Sequence, residues 1–150
     1  MYKDAGITKE KEIIMESRIK KANELHKKGY NCAQAVACAY CDLVGVDEET
    51  MFKLSEGFGA GMGGMDGTCG AVSGAVLLAG MHNSHGKELH DSKASTYKLS
   101  KAVRLAFEEK NSTVICKELK GLETKKVLRS CDGCIEDAAA IAEKLLFEEF

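Results

Sequence analysis

Three of the seven cysteines in this chain, Cys32, Cys69 and Cys131, stand where helices are expected to begin. Their contexts are Tyr30-Asn31-Cys32, Gly67-Thr68-Cys69-Gly70 and Ser130-Cys131-Asp132. A helix start carries about half a positive charge and several unpaired N–H groups. A thiol held there ionises more readily, and the thiolate is the species that attacks disulfides or ligates soft metals. Cys131-Asp132-Gly133-Cys134 adds a C-x-x-C at such a start, in which Cys134 can act as resolving partner. The residues that could do chemistry are therefore thiols. The other residue types offer little competition. His82 and His85 are three apart and could share an ion, but Asn83, Ser84 and Gly86 around them read as a solvated helix terminus. His26 and His90 are expected on exposed faces, and no Ser–His–Asp or Cys–His nucleophile set is evident. Met62, Met65 and Met81 could supply thioether ligands, although methionine beside glycine is more often gap-filling.

The elements that must position these thiols read as helices. The chain has 150 residues, enough for one domain with its own core, and it contains no proline. Met15, Ile19, Ala22 and Leu25 mark an amphipathic helix over about 8–28, with residues 1–12 a candidate mobile tail. A second helix is expected from an Asn31 cap to Leu43 or Val44, and a short third from Asp47 through Leu54. Asp66 or Thr68 should cap a fourth, apolar on most sides, reaching Met81. A fifth is expected over about 86–109 with Leu99, Ala102, Val103 and Ala106 inward, then a short piece around Cys116–Leu119. Ser130 should cap a last helix whose Ile135, Ala138, Ala142, Leu145 and Leu146 form a stripe. The expected fold is an all-α compact bundle of five to six helices in a single domain, with a glycine-rich loop leading into a central apolar helix.

That loop, Gly57 to Gly67, contains Gly59, Gly61 and Gly64 in G-x-G-x-x-G spacing. A dinucleotide fingerprint needs a preceding strand, and Met51 to Glu56 read as helix, so the glycines are read instead as allowing sharp turns and close approach. Gly70 and Gly74, four apart, leave one helical face bare enough for another helix to pack tightly. Either the loop serves only that crossing, or it also carries Cys69 into contact with cysteines from other helices.

Asn31-Cys32-Ala33-Gln34-Ala35-Val36, Gly57-Phe58-Gly59-Ala60-Gly61-Met62-Gly63 and Cys69-Gly70-Ala71-Val72-Ser73-Gly74 together resemble the C-GCAxxG-C-C family of redox-active proteins. Cys116 fits the third cysteine of that pattern and Cys131 the fourth, and the resemblance spans about residues 17–147. It implies redox activity resting on Cys32, Cys69, Cys116 and Cys131, and an association with a membrane transporter, near whose genes such proteins are often encoded. A related region occurs in split-Soret cytochromes c, but this chain has no C-x-x-C-H for covalent haem attachment. Cys38, Cys41 and Cys134 are additions to the pattern. On one continuous helix Cys38 and Cys41 would sit roughly 240° and 180° around from Cys32, which assigns them to the apolar core.

Three readings follow. In the first, the protein is a thiol-based redox protein in which Cys32, Cys69, Cys116, Cys131 and Cys134 carry thiol–disulfide exchange or electron transfer with a redox partner. Cys131 or Cys32 would be the attacking thiolate, and no cofactor is required. In the second, Cys32, Cys69, Cys116 and Cys131 ligate a metal, as Zn or an iron–sulfur cluster. Spacings of 37, 47 and 15 positions lack the close pairs of zinc fingers and ferredoxins, which favours redox thiols. In the third, the chain is a non-catalytic adaptor for a transporter. A net charge of −2 gives no reason to expect nucleic acid, and no apolar run approaches the ~20 residues of a membrane span. Without a signal-like N-terminus the expected location is cytoplasmic, and a helical surface of this kind can form a homodimer.

Overall fold

A computed structural model describes residues 16–148. The candidate tail at residues 1–12 and the helical expectation for residues 8–15 lie outside the described residues. The longer helices are α1 (Ile19–Lys27), α2 (Cys32–Ala39), α3 (Glu48–Glu56), α5 (Gly70–Asn83), α7 (Lys93–Asn111) and α9 (Cys131–Ala142). Between them lie three single turns, α4 (Gly59–Met62), α6 (Gly86–Leu89) and α8 (Cys116–Lys120). Among the described residues there is no strand, only an isolated antiparallel bridge between Thr68 and Ile115. The fold is all-α, with six helices of two turns or more among the described residues. None of the described helices is long and apolar enough to cross a membrane.

Local signals explain most boundaries. Asn31 and Gln34 form a reciprocal capping box at the start of α2, the Asp47 carboxylate accepts the Thr50 N–H at α3, and the Ser130 hydroxyl accepts the Gly133 N–H at α9. Three expectations need correction. The second helix stops at Ala39, and Cys41–Val44 continues as a 3-10 turn closed by Gly45 at φ 75°. Cys41 therefore leaves the α2 spiral, although it and Cys38 are buried in the core as expected. Neither Asp66 nor Thr68 caps α5, whose N-cap is Cys69 itself. The fifth helix is broken at His90, in left-handed geometry at φ 51°, and restarts at Lys93.

The core sits between α2, α5, α7 and α9. Val36, Val72, Leu78, Val103, Phe107, Ile135 and Leu146 are fully buried there with a high proportion of alanine. Alanine and glycine let α2 and α5 come close. A Cβ added to Gly74 would lie 2.7 Å from the Ala33 carbonyl oxygen, and one added to Gly70 would lie 3.1 Å from the Ala33 nitrogen. At the far end the buried Glu143 carboxylate accepts from the Tyr40 hydroxyl at 2.5 Å, the Arg18 N–H at 2.6 Å and the Ser17 hydroxyl at 3.2 Å.

Two α5 glycines should respond to alanine in opposite directions. Gly74→Ala overpacks the crossing and should lower unfolding free energy by about 1–3 kcal/mol. A Cβ on Gly80 meets nothing within 4 Å, so Gly80→Ala should raise it by about 0.5–1 kcal/mol through helix propensity. Urea titration of both variants measures this, and equal effects would mean that the crossing is not tight.

Candidate functional site: a cavity lined by five cysteines

The tight crossing places the starts of α2 and α5 side by side, and with them Cys32 and Cys69. The segment ahead of α5 is held by antiparallel backbone pairing to the start of α8. Cys69 N–H donates to Val114 O at 2.6 Å, Cys116 N–H to Gly67 O at 2.9 Å and Lys117 N–H to Met65 O at 2.7 Å. This lays Cys116 against the glycine segment. Ala60, Gly61 and Met62 there all adopt positive φ (51°, 52° and 59°), and a Cβ on Gly61 would overlap that of Cys116. Left-handed geometry at Ala60 and Met62 costs on the order of 1 kcal/mol each, so the surrounding contacts must impose it. The start of α9, packed on α1 and α5, brings in Cys131 and Cys134.

The result is a cavity of about 220 Å3 lined by Cys32, Cys69, Cys116, Cys131 and Cys134. All five cysteines singled out from the sequence come together, and all are free thiols. Cys38 and Cys41 stay apart from it. Cys69, Cys116 and Cys134 are buried, whereas Cys32 and Cys131 are half-buried. Lys120 and Arg129 also line the cavity.

The thiols are arranged in pairs. The Cys134 thiol lies beside that of Cys69, and the Cys131 thiol beside that of Cys32, with Cys32 also close to Cys69. Each cysteine of the C-x-x-C thus has a neighbouring thiol from another helix as well. Cys116 lines the wall without a thiol–thiol hydrogen bond.

The shift at Cys69 is toward ionisation. The Cys69 thiol is lowered to about 7 by the Cys134 hydrogen bond, by the Ala71 and Val72 N–H groups and by the Lys120 ammonium, against the opposing effect of burial. Cys32, expected to be activated by its helix start, is instead raised, chiefly by burial and then by Cys131 and Cys69. Cys134 is raised by its hydrogen bond to Cys69 and by burial. Burial also raises Cys116 and pushes Cys38 up to about 12. The difference between Cys69 and Cys32 lies in their helix positions. Asn31 and Ser130 occupy the N-caps ahead of Cys32 and Cys131, and their side chains take N–H groups there. Cys69 is its own N-cap, so its sulfur lies beside the Ala71 and Val72 N–H groups at the start of α5, where no other side chain caps the helix.

Lys120, which the sequence reading did not single out, hydrogen-bonds Cys131 and is held charged by its thiol neighbours. Arg129 is fixed by Asp137, which is buried and held well below the usual carboxylate range by Arg129, Lys110 and Asn111 despite its burial. His26, expected on an exposed face, sits half-buried at the rim with Nδ1 2.8 Å from Asp132 Oδ1. His82 and His85 do not share a site. The first packs edge-on against Phe147, and the second pairs with Asp91 at 2.8 Å. Among the described residues no three His, Cys, Asp or Glu side chains are arranged to hold one ion.

These features define an all-helical thiol-cluster protein. Residues 30–145 match the family described as "Putative redox-active protein (C_GCAxxG_C_C)", and the chain belongs to that family. No curated protein and no solved structure matches the chain significantly.

In reduced protein, alkylation of Cys69 should follow a pH profile with its midpoint near 7, and Lys120→Met should move that midpoint upward. The lowered thiol adds stability in full above its unfolded value, near 9, and the contribution disappears as pH falls through about 7. Peptide-resolved mass spectrometry of iodoacetamide labelling measures the profile. A midpoint unchanged in Lys120→Met would remove the cation from the account.

Proposed function

We propose that the protein is a two-stage dithiol relay that exchanges electrons with a partner's disulfide. The observation that carries this reading is the presence of two facing thiol pairs in one cavity, one half-buried and one buried. Disulfide chemistry needs sulfurs in pairs, whereas a structural metal needs them around one centre.

Burial sets the order of events. Cys32 and Cys131 meet the partner, since Cys69 and Cys134 are only 5% and 3% exposed. Cys131, beside the Lys120 ammonium, attacks the partner disulfide. The partner S–S bond breaks, a mixed disulfide forms, and the departing thiolate takes a proton from water. Cys32 then loses its proton and displaces the second partner thiol. The partner has gained two electrons, and Cys32–Cys131 is oxidised. The Cys69 thiolate attacks that disulfide, and Cys134 gives up its proton to close Cys69–Cys134, returning the outer pair to dithiol. A small or protein dithiol then reduces the inner disulfide by the same exchange in reverse. Membership of a redox-active family supports the chemistry but names no partner.

Titration of the reduced protein with glutathione disulfide tests the relay. Wild type should lose four thiols per chain, reckoned as two per facing pair. Cys134→Ser should lose only the outer two, and Cys131→Ser should slow oxidation of the inner pair by about tenfold or more, since the thiolate alone attacks and needs access. Equal rates in wild type and Cys131→Ser would contradict the order of events.

A further inference from the structure

On the other side of the glycine segment lies a groove of about 1150 Å3 between α5 and α7, and we infer that it docks an acidic amphipathic helix of a partner protein. The wall is shared. Met62 and Thr68 face the groove while Gly61 and Cys69 face the thiol cavity. The volume exceeds the few hundred to about 1000 Å3 of typical small-molecule pockets.

Shape and spacing favour a helix. From α5 the groove takes Ser73, Val76, Leu77, Gly80, Met81 and Ser84, and from α7 it takes Lys93, Thr96, Tyr97, Ser100, Lys101 and Arg104. Both sets recur at three- and four-residue intervals, so each is one stripe of a helix. Two parallel stripes form the trough into which a third helix lays its apolar face. At 1.5 Å per residue the α5 stripe is about 17 Å long, which accommodates a helix of roughly three turns. Gly80 leaves open space above the floor, since a Cβ there would meet no atom within 4 Å. Met62, Met81 and Tyr97 are 59%, 46% and 66% exposed, an apolar surface that no other described residue covers. Methionine suits such a surface because it adapts to the side chains laid on it.

Charge selects the occupant. Lys87, Lys93, Lys101 and Arg104 line the groove, and no carboxylate does, although the chain as a whole carries −2. Arg104 reaches Glu108 at 3.4 Å beyond the groove edge. An apolar floor with a rim of one sign calls for an apolar stripe flanked by carboxylates. The concavity suits a helix better than a flat lipid surface.

The probe is an acetylated, amidated peptide of about fourteen residues, leucine on one helical face and glutamate on the other, read by fluorescence anisotropy against the full chain. Binding should weaken as salt rises, should fall by about tenfold or more in Lys101→Glu/Arg104→Glu, and should fall in Tyr97→Ser, with circular dichroism unchanged. Cys32→Ser should bind as wild type does, which separates this docking from the thiol relay. Absence of binding, or equal binding of a lysine-faced peptide, would overturn the inference. Displacement of the peptide by dodecanoate at lower concentration would assign the groove to a small amphiphile instead. A sedimenting dimer that the same charge reversal dissociates would assign it to a second copy of the chain.

Discussion

The close approach of α2 and α5 is the constraint on which the site depends. Ordinary helix pairs stand 8–10 Å apart, and side chains fill the gap. Here Gly70 and Gly74 meet the Ala33 backbone directly, so the two helix starts converge instead of being held apart by bulk. Cys32 and Cys69 are neighbours for that reason. The antiparallel pairing of Gly67 and Cys69 with Val114 and Cys116 fixes the third sulfur, and the packing of α9 on α1 and α5 supplies two more. Five thiols from four parts of the chain then share one cavity because one glycine face lets two backbones touch.

Convergence alone would make the cluster inert. Burial favours the neutral thiol and prevails at Cys32 and Cys116, and at Cys134 it adds to the larger effect of donating to Cys69. At Cys69 the Cys134 thiol donor is the largest effect, and two backbone N–H groups and a nearby ammonium add to it. Their sum outweighs burial there. The cavity is thereby polarised, with Cys69 prepared to ionise while Cys32, Cys116 and Cys134 hold their protons, which suits ordered exchange between pairs.

Much of this was legible in the sequence, and the exceptions have physical causes. The caps at Asn31, Asp47 and Ser130 and the apolar stripe ending at Leu146 are local signals, and the structure realises them. The convergence of the cysteines followed from helix starts and from the bare Gly70–Gly74 face. Which sulfur is lowered did not, because a one-residue difference between N-cap and first helical position decides whether the N–H groups serve the cap or the thiol. Periodicity does not resolve that difference. The breaks after Ala39 and at His90 carry no proline or glycine at the break to announce them, and tertiary packing sets them. Lys120 resembles any surface lysine in sequence, and only the fold turns it toward Cys131.

The central claim is that sulfurs pair between helices, Cys69 with Cys134 and Cys32 with Cys131. Peptide mapping of disulfides in wild-type protein, oxidised to equilibrium in a glutathione buffer and trapped by acid and alkylation, tests it most directly. The account predicts those two linkages, with Cys38, Cys41 and Cys116 recovered as free thiols. A Cys131–Cys134 linkage as the major product, or a disulfide between Cys38 and Cys41 with the cavity cysteines still reduced, would contradict it.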